Sequence, residues 1–271
     1  MRQLGDPPSL AGTAGMSLLA TASGRLEYLA TGSGSPVTVF AHGLAGSIGD
    51  TRPLGTGVAG TRVFFHFGGH GASTGAGWGY PDLAADLAAV TTTVGATRAL
   101  GVSMGAGALA ALLVEAPDRF ERVVFFLPAV LDRPRSVAAR EHLGRLAAAV
   151  EAGDAEGAAQ VLSLEMPPAV RDRAEARRYA GKRAELLLAG HLASALRRLA
   201  TEVAVADRSA LAAVDVPALV VAQAQDELHP VSAAQDLAEA LPHASLAVLP
   251  PGAMWESRRE LRRLVTDFLN G

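Results

Sequence analysis

Five residues near the middle of the chain, 101–105, match the pattern G-x-S-x-G, with Ser103 at its centre. This pattern is typical of a sharp turn from a strand into a helix, with the serine hydroxyl exposed at the apex of the turn. The positive end of the helix favours negative charge beside the hydroxyl. We therefore expect Ser103 to act as a nucleophile, provided that a nearby base takes its proton.

The residues around Ser103 predict the strand and the helix that such a turn needs. Residues 98–102 form a short apolar run, and residues 106–115 form a helix of small residues that ends before Pro117. Apolar runs alternate with helical patterns over most of the chain, which is typical of a parallel sheet with crossover helices. The predicted strands are 25–30, 37–41, 62–67, 98–102, 123–127, 216–222 and 245–249, and the predicted core helices are 81–93, 106–115, 231–241 and 257–269.

The pattern changes at both the beginning and the middle of the chain. Residues 1–24 are rich in Gly, Pro, Ser and Ala and predict a flexible N-terminal tail. Residues 134–206 read as continuous helix, broken at 153–154 and 167–168, between two core segments, 25–133 and 207–271. We expect this insertion to be a helical cap over the site, although a structural appendage or a dimer surface would give the same pattern.

Composition excludes several classes of function. The chain has 271 residues, of which 49% are hydrophobic, a net charge of -3 and no cysteine. Disulfides and cysteine nucleophiles are thereby excluded, and nothing indicates binding to nucleic acid or to an anionic membrane. No membrane span or signal peptide is visible, so we expect a cytoplasmic protein. The histidines lack metal-binding spacing and the glycine-rich turn lacks a nucleotide motif, so we expect no metal and no cofactor.

Three further motifs follow predicted strands and accompany the Ser103 turn. His42 and Gly43 follow strand 37–41, residues 69–73 follow strand 62–67, and Asp226 follows strand 216–222. In this order the motifs resemble the α/β-hydrolase superfamily over residues 26–269. The resemblance implies a mostly parallel central sheet flanked by helices, with residues 134–206 as the cap.

The resemblance also implies roles for individual residues. The backbone N–H groups of Leu44 and Met104 would form the oxyanion hole, with His42 shaping the loop and lining the pocket. Asp226 would be the acid that orients a histidine, with a capping role for the next helix as its alternative. Asp132, and less directly Glu227, are alternative acids.

The chain departs from the family at the catalytic base. The family places a histidine after the last strand, but residues 249–256 contain none, and Met254 or Trp255 occupies the position. His229, three residues beyond Asp226, is the candidate for a displaced base, although it would face solvent if it were only structural. His70, at the end of strand 62–67, and Trp255 are expected to line the pocket.

Two functions follow from these residues. The first is a serine hydrolase of the ester or thioester type, which acts through Ser103 with a non-standard base on a small, apolar acyl compound. The second is a non-hydrolytic member of the fold with a degenerate triad, which binds a small molecule or acts as a lyase or cyclase. A homodimer is left open. The basic residues of the insertion predict a solvated helix face, with recognition of an anionic substrate as the alternative. These residues are Arg171, Arg173, Arg177, Arg178, Lys182 and Arg183.

Overall fold

A central sheet of eight strands organises the computed structural model, which describes residues 15–75 and 77–271. The strands are β1 (Met16–Ala20), β2 (Arg25–Gly32), β3 (Val37–Ala41), β4 (Thr61–Phe65), β5 (Arg98–Val102), β6 (Arg122–Phe126), β7 (Ala218–Gln223) and β8 (Ala244–Leu249). The helices are α1 (Ile48–Thr51), α2 (Tyr80–Thr93), α3 (Met104–Glu115), α4 (Val137–Glu151), α5 (Ala155–Ser163), α6 (Pro168–Arg171), α7 (Ala174–Ala189), α8 (Ala193–Thr201), α9 (Val231–Ala240), α10 (Ala253–Glu256) and α11 (Arg258–Asn270).

The sheet is mostly parallel, as the sequence predicts. Its order is β1-β2-β4-β3-β5-β6-β7-β8, with β1 and β2 antiparallel to their neighbours and the other pairs parallel. Every predicted core strand and helix is present, with ends within two residues of those predicted. Since the carboxyl ends of parallel strands meet at one edge, the loops after β3, β5 and β7 converge there.

Apolar side chains on both faces of the central strands hold the helices against the sheet. Along β7, for example, Val220 and Val221 are both fully buried and point to opposite faces. Val220 belongs to a cluster with α2, α3 and α9, whereas Val221 belongs to a second cluster with α11. A strand buried on both faces reads as a continuous apolar run, which explains why these strands were predictable.

The N-terminal segment corrects one prediction. Residues 1–14 of the predicted tail lie outside the described residues, but Met16–Ala20 form β1, paired antiparallel with β2. The prediction of a flexible tail is therefore wrong for these five residues. Alternate side chains of this edge strand are exposed, so backbone hydrogen bonds hold it more than burial does, and its side chains give little signal.

Helices α4 to α8 lie within the predicted insertion and bury an apolar cluster of their own. The predicted breaks are present. Gly153 takes a φ of +68°, and the Asp154 carboxylate accepts a hydrogen bond from the N–H of Gly157 at the start of α5. Leu44 and Ala45, in the loop after β3, pack against this cluster. The insertion is thus attached to the same edge of the sheet as Ser103.

Candidate active site

Ser103 lies at the turn between β5 and α3 in a strained backbone conformation, with φ of +51° and ψ of -107°. Its N–H donates to the Phe126 carbonyl at 2.9 Å, which ties the turn to β6. The two glycines of the motif permit a close approach of backbone to backbone. A Cβ at Gly101 would lie 2.3 Å from the carbonyl oxygen of Gly105, and one at Gly105 would lie 2.6 Å from that of Ala41. The turn therefore requires glycine at both positions.

The loop between β7 and α9 folds back on itself around Asp226. One oxygen of that carboxylate, Oδ1, accepts hydrogen bonds from the backbone N–H groups of Leu228 at 3.1 Å and His229 at 3.0 Å. Gln225 takes a φ of +58°, and Pro230 restricts the backbone of His229 before α9 begins. These constraints place the His229 imidazole beside the carboxylate, three residues away along the chain.

Ser103, His229 and Asp226 form one chain of hydrogen bonds. His229 Nε2 lies 2.9 Å from Ser103 Oγ, and His229 Nδ1 lies 3.0 Å from the second oxygen of Asp226. A carboxylate can only accept, so Nδ1 carries the proton and Nε2 offers its lone pair to the serine hydroxyl. This is the arrangement of a nucleophile, a base and an orienting acid.

Asp226 is suited to remain ionised in this arrangement. Burial by itself would raise the pKa of the carboxyl, because the charged form loses water. The charge of His229, its hydrogen bond and the two backbone N–H donors outweigh burial and hold the pKa of Asp226 below its usual value. A carboxylate that stays charged can stabilise an imidazolium on His229.

The family described as serine aminopeptidase, S33, matches residues 35–253, about four fifths of the chain. The chain belongs to this family of α/β hydrolases. The resemblance read from the sequence motifs is thereby confirmed, and a hydrolase is the general class of activity that membership indicates. A comparison with curated proteins finds no match.

Solved structures share the fold over nearly the whole chain. The enol-lactonase from Burkholderia xenovorans LB400 superposes with a TM-score of 0.78 at 19% identity, covering 94% of this chain and 100% of that one. MGS-M2, an α/β-hydrolase enzyme from a Medee basin deep-sea metagenome library, gives 0.81 at 15% identity, covering 94% and 98%. A thermophilic esterase from Thermogutta terrifontis gives 0.77 at 19% identity, covering 95% and 100%.

The position after β8 contains no histidine, as the sequence already indicates. The short helix α10 begins there, and its Met254 and Trp255 line the same cavity as Ser103. The Trp255 ring packs edge-on against Tyr179 of α7 at a centroid distance of 5.3 Å. The pocket position predicted for Trp255 thus agrees with the structure. The imidazole beside Ser103 comes instead from His229, in the loop between β7 and α9.

The loop after β3 lies directly against the Ser103 turn, since a Cβ at Gly43 would lie 3.3 Å from Ser103 Cβ. His42 is fully buried; its Nδ1 donates to the Gly43 carbonyl at 2.7 Å, and its Nε2 accepts from the N–H of Phe67 at 3.2 Å. Burial, together with the charge of nearby His70, lowers the pKa of His42 well below its usual value, so it holds the loop as a neutral ring. Leu44 and Met104, the predicted oxyanion donors, line the same cavity as Ser103.

That cavity has a volume of about 160 Å³ and lies between the sheet edge and the insertion. Core loops contribute His42, Leu44, Ser103, Met104 and His229, while the insertion contributes apolar and charged side chains. The apolar ones include Leu143, Leu146, Met166, Leu187, Leu196 and Leu199, and the charged ones are Arg135, Glu165 and Arg183. Side chains of residues 134–206 therefore line the same cavity as Ser103.

His70 corrects a second prediction. It is not among the described residues that line the cavity. The tight turn after β4 directs its ring inward, where Nδ1 donates to the Gly68 carbonyl at 3.2 Å and the ring packs against His42 and Trp78. Its neighbour His66 is also structural, paired with Glu27 at 2.8 Å. The side chains of His66 and His70 thus hold the loops in place from outside the cavity.

Buried His70 should make the fold sensitive to acid. Burial, reinforced by the charge of His66, lowers the pKa of His70 from 6.5 to about 4. Between these pH values the unfolded chain binds a proton that the folded chain does not, so the unfolding free energy falls as pH falls from 6.5 to 4, by about 3 kcal/mol from this group. Urea unfolding of His70→Asn, which keeps a donor for Gly68, should show a smaller loss over this range. An unchanged loss would contradict the assignment.

The alternative acids lie elsewhere. Asp132 forms an ion pair with Arg208, in which the carboxylate Oδ2 lies 2.8 Å from the arginine Nε. Among the described residues, Asp132 is not part of the lining of the Ser103 cavity. Glu227 lines a neighbouring cavity of about 390 Å³. The described hydrogen bonds of His229 go to Asp226 and Ser103 and not to Glu227. Asp226 is thus the carboxylate that the fold brings to the imidazole of His229.

Arg183 corrects a third prediction, because it is not part of a solvated helix face. The side chain of this α7 residue lies in the Ser103 cavity, where Nη1 pairs with Glu165 at 2.7 Å and Nη2 donates to the Leu44 carbonyl at 3.2 Å. The helical spacing held the signal, since Arg183 follows Ala180 by three residues and precedes Leu187 by four, both on the buried face.

Within 15–75 and 77–271 no helix is long and apolar enough to cross a membrane. The same residues contain no group of three or more His, Asp or Glu side chains placed to hold a metal ion.

Proposed function

We propose that the protein is a serine hydrolase of carboxylic esters or thioesters with short acyl groups. The observation that carries the proposal is the hydrogen-bonded chain from Ser103 through His229 to Asp226. The absence of a histidine after the last strand was the reason for the non-hydrolytic alternative, and the position of His229 Nε2, 2.9 Å from Ser103 Oγ, supports the hydrolase instead.

In the proposed reaction, Ser103 Oγ attacks the acyl carbon while His229 Nε2 takes its proton. The carbonyl oxygen becomes an oxyanion, which the N–H groups of Leu44 and Met104 stabilise. Asp226 stabilises the imidazolium. His229 then gives the proton to the leaving alcohol or thiol, and the same residues activate a water molecule that releases the acid from Ser103.

The cavity supports a small acyl group. Its volume of about 160 Å³ is below the roughly 300–1,000 Å³ of pockets that hold drug-sized ligands. Leucines of the cap line the space above the serine, which suits an apolar chain. Two proteins of the same fold are named an enol-lactonase and an esterase, which agrees with cleavage of a carboxylic ester or lactone bond.

The proposal is tested by hydrolysis of p-nitrophenyl acetate, butyrate and decanoate and of butyryl thiocholine, with Ser103→Ala as control. We expect wild-type turnover of the short esters or the thioester, little turnover of the decanoate, and none above background for Ser103→Ala. An amide, leucine p-nitroanilide, is included because the family description names an aminopeptidase. Folded wild-type protein that hydrolyses none of the esters or the thioester, or only the amide, would contradict the proposal.

A further inference from the structure

Arg135, which precedes the first residues of α4, is a half-buried arginine in the lining of the Ser103 cavity. Its Nε donates to the Leu199 carbonyl at 3.0 Å, its Nη1 to the Ala129 carbonyl at 3.4 Å and its Nη2 to the Tyr80 hydroxyl at 3.4 Å. A guanidinium has five N–H donors. These three bonds therefore leave two donors of Arg135 without an acceptor among the described residues.

The three acceptors of Arg135 do not compensate its positive charge. Two of them are backbone carbonyls, and the third is the hydroxyl of Tyr80. Burial raises the pKa of Tyr80 and outweighs the opposite effect of the Arg135 charge, so this hydroxyl stays neutral. Within residues 15–75 and 77–271, none of the ion pairs between Arg or His and Asp or Glu includes Arg135.

The carboxylates that line the same cavity already have partners on the protein. The pairs are Glu165 with Arg183 at 2.7 Å, Asp226 with His229 at 3.0 Å and Asp50 with the N–H of Ser47 at 2.7 Å. Arg135 is therefore the arginine of this lining that has no carboxylate partner in the described structure. A partly desolvated guanidinium favours an anion, and its planar donors match the geometry of a carboxylate.

Tyr80 connects Arg135 to the first turn of the helix that follows the nucleophile. The fully buried Tyr80 ring lies against Gly107 of α3, where a Cβ would be 2.2 Å from Tyr80 Cε1. The N–H of Gly107 donates to the Ser103 carbonyl at 3.1 Å. One tyrosine ring thus separates the guanidinium from the turn that carries Ser103. Leucines of α4 and α8 line the cavity as well, and they suit methylene groups between an acyl carbon at Ser103 and an anion at Arg135.

We propose that Arg135 is a specificity-determining residue, which binds a carboxylate at the far end of the substrate's acyl chain. The inference rests on the proposed function, because it names the class of acyl group that the hydrolase would accept. The binding of a carboxylate by Arg135 can be measured without any turnover.

The first test compares substrates on the wild-type protein. Monoethyl esters of succinate, glutarate and adipate vary the distance between the ester and the carboxylate, and ethyl butyrate, pentanoate and hexanoate are the neutral esters of equal chain length. A pH-stat records the acid released. For the best chain length we expect kcat/KM of the carboxylate ester to exceed that of its neutral counterpart by about 10- to 100-fold, because a charge-assisted hydrogen bond is formed. A preference for the neutral ester at all three lengths would overturn the inference.

The second test removes the guanidinium. Arg135→Gln should lower kcat/KM for the preferred carboxylate ester by about 10- to 100-fold, mainly through KM, with little effect on the neutral ester. Arg171→Gln is the matched control, because that cap arginine also donates to backbone carbonyls but is not part of the described lining of the Ser103 cavity. It should leave the preference unchanged. Equal losses on both esters in Arg135→Gln would indicate a purely structural role and would overturn the inference.

A binding measurement decides the question even if no ester is turned over. Isothermal titration of Ser103→Ala compares succinate, glutarate and adipate with butyrate, pentanoate and hexanoate. We expect the best diacid to bind at least about 10-fold more tightly than the monoacid of equal length, and Arg135→Gln in the same background to abolish this difference. Equal Kd values for diacid and monoacid at all three lengths would overturn the inference. An intact difference without any ester turnover would contradict the proposed function alone.

Discussion

His229→Ala is expected to lower kcat/KM for short-chain esters by about 10⁵-fold, because the serine hydroxyl then has no base to take its proton. The imidazole is the group that joins Ser103 Oγ at 2.9 Å to the Asp226 carboxylate at 3.0 Å. Alanine removes the ring but keeps the backbone N–H that donates to Asp226, so the loop should keep its shape. Steady-state hydrolysis of p-nitrophenyl butyrate measures the effect.

His243→Ala is the matched control for this substitution. His243 lies before β8, at the opposite end of the sheet, and its exposed ring pairs with Asp215 at 2.7 Å. Its loss should leave kcat/KM within about twofold of wild type, since exposed ion pairs contribute little. If His243→Ala and His229→Ala reduced activity equally, the role of His229 as base would be refuted.

Asp226→Asn is expected to lower kcat by about 10³- to 10⁴-fold while leaving KM and the fold nearly unchanged. The amide of asparagine would donate to His229 Nδ1, where the carboxylate now accepts. The imidazole would then carry its proton on Nε2 and present N–H to Ser103 instead of a lone pair. The carbonyl oxygen of asparagine can still accept from the N–H groups of Leu228 and His229, which keeps the loop folded.

Asp132→Asn distinguishes the two acids that the sequence left open. It weakens the ion pair with Arg208 and should lower the urea midpoint, but not kcat at temperatures where the protein is folded. Equal losses of kcat in Asp132→Asn and Asp226→Asn would contradict the assignment of Asp226. A loss in Asp132→Asn alone would reverse it.

Local patterns made the nucleophile and the sheet predictable. Ser103 stands between a buried strand and a small-residue helix, and the two glycines of its motif are there because a Cβ would meet backbone atoms. The strands with both faces buried are continuous apolar runs. Asp226 and His229 are three residues apart, which places them on one loop. The direction of the His229 imidazole depends on the hydrogen bonds between the Asp226 carboxylate and the backbone of the same loop. These bonds are a feature of the tertiary structure and not of the sequence pattern.

The features that sequence reasoning missed are contacts between distant segments. Arg183 lies among arginines and glutamates that predict a solvated face, and its burial against Leu44 depends on how the insertion packs on the loop after β3. His70 follows a strand at the correct edge of the sheet, but a turn directs it away from the cavity. Strand β1 is held by backbone pairing with β2, and its side-chain pattern does not predict this pairing.

Intact mass during labelling with a fluorophosphonate tests the central claim, that His229 activates Ser103 in the absence of a histidine after β8. We expect rapid addition of one phosphonyl group to the wild type, none to Ser103→Ala, and labelling of His229→Ala slowed by at least about 10³-fold. Circular dichroism confirms that each variant is folded. Labelling of His229→Ala at the wild-type rate, or no labelling of folded wild type, would contradict the account.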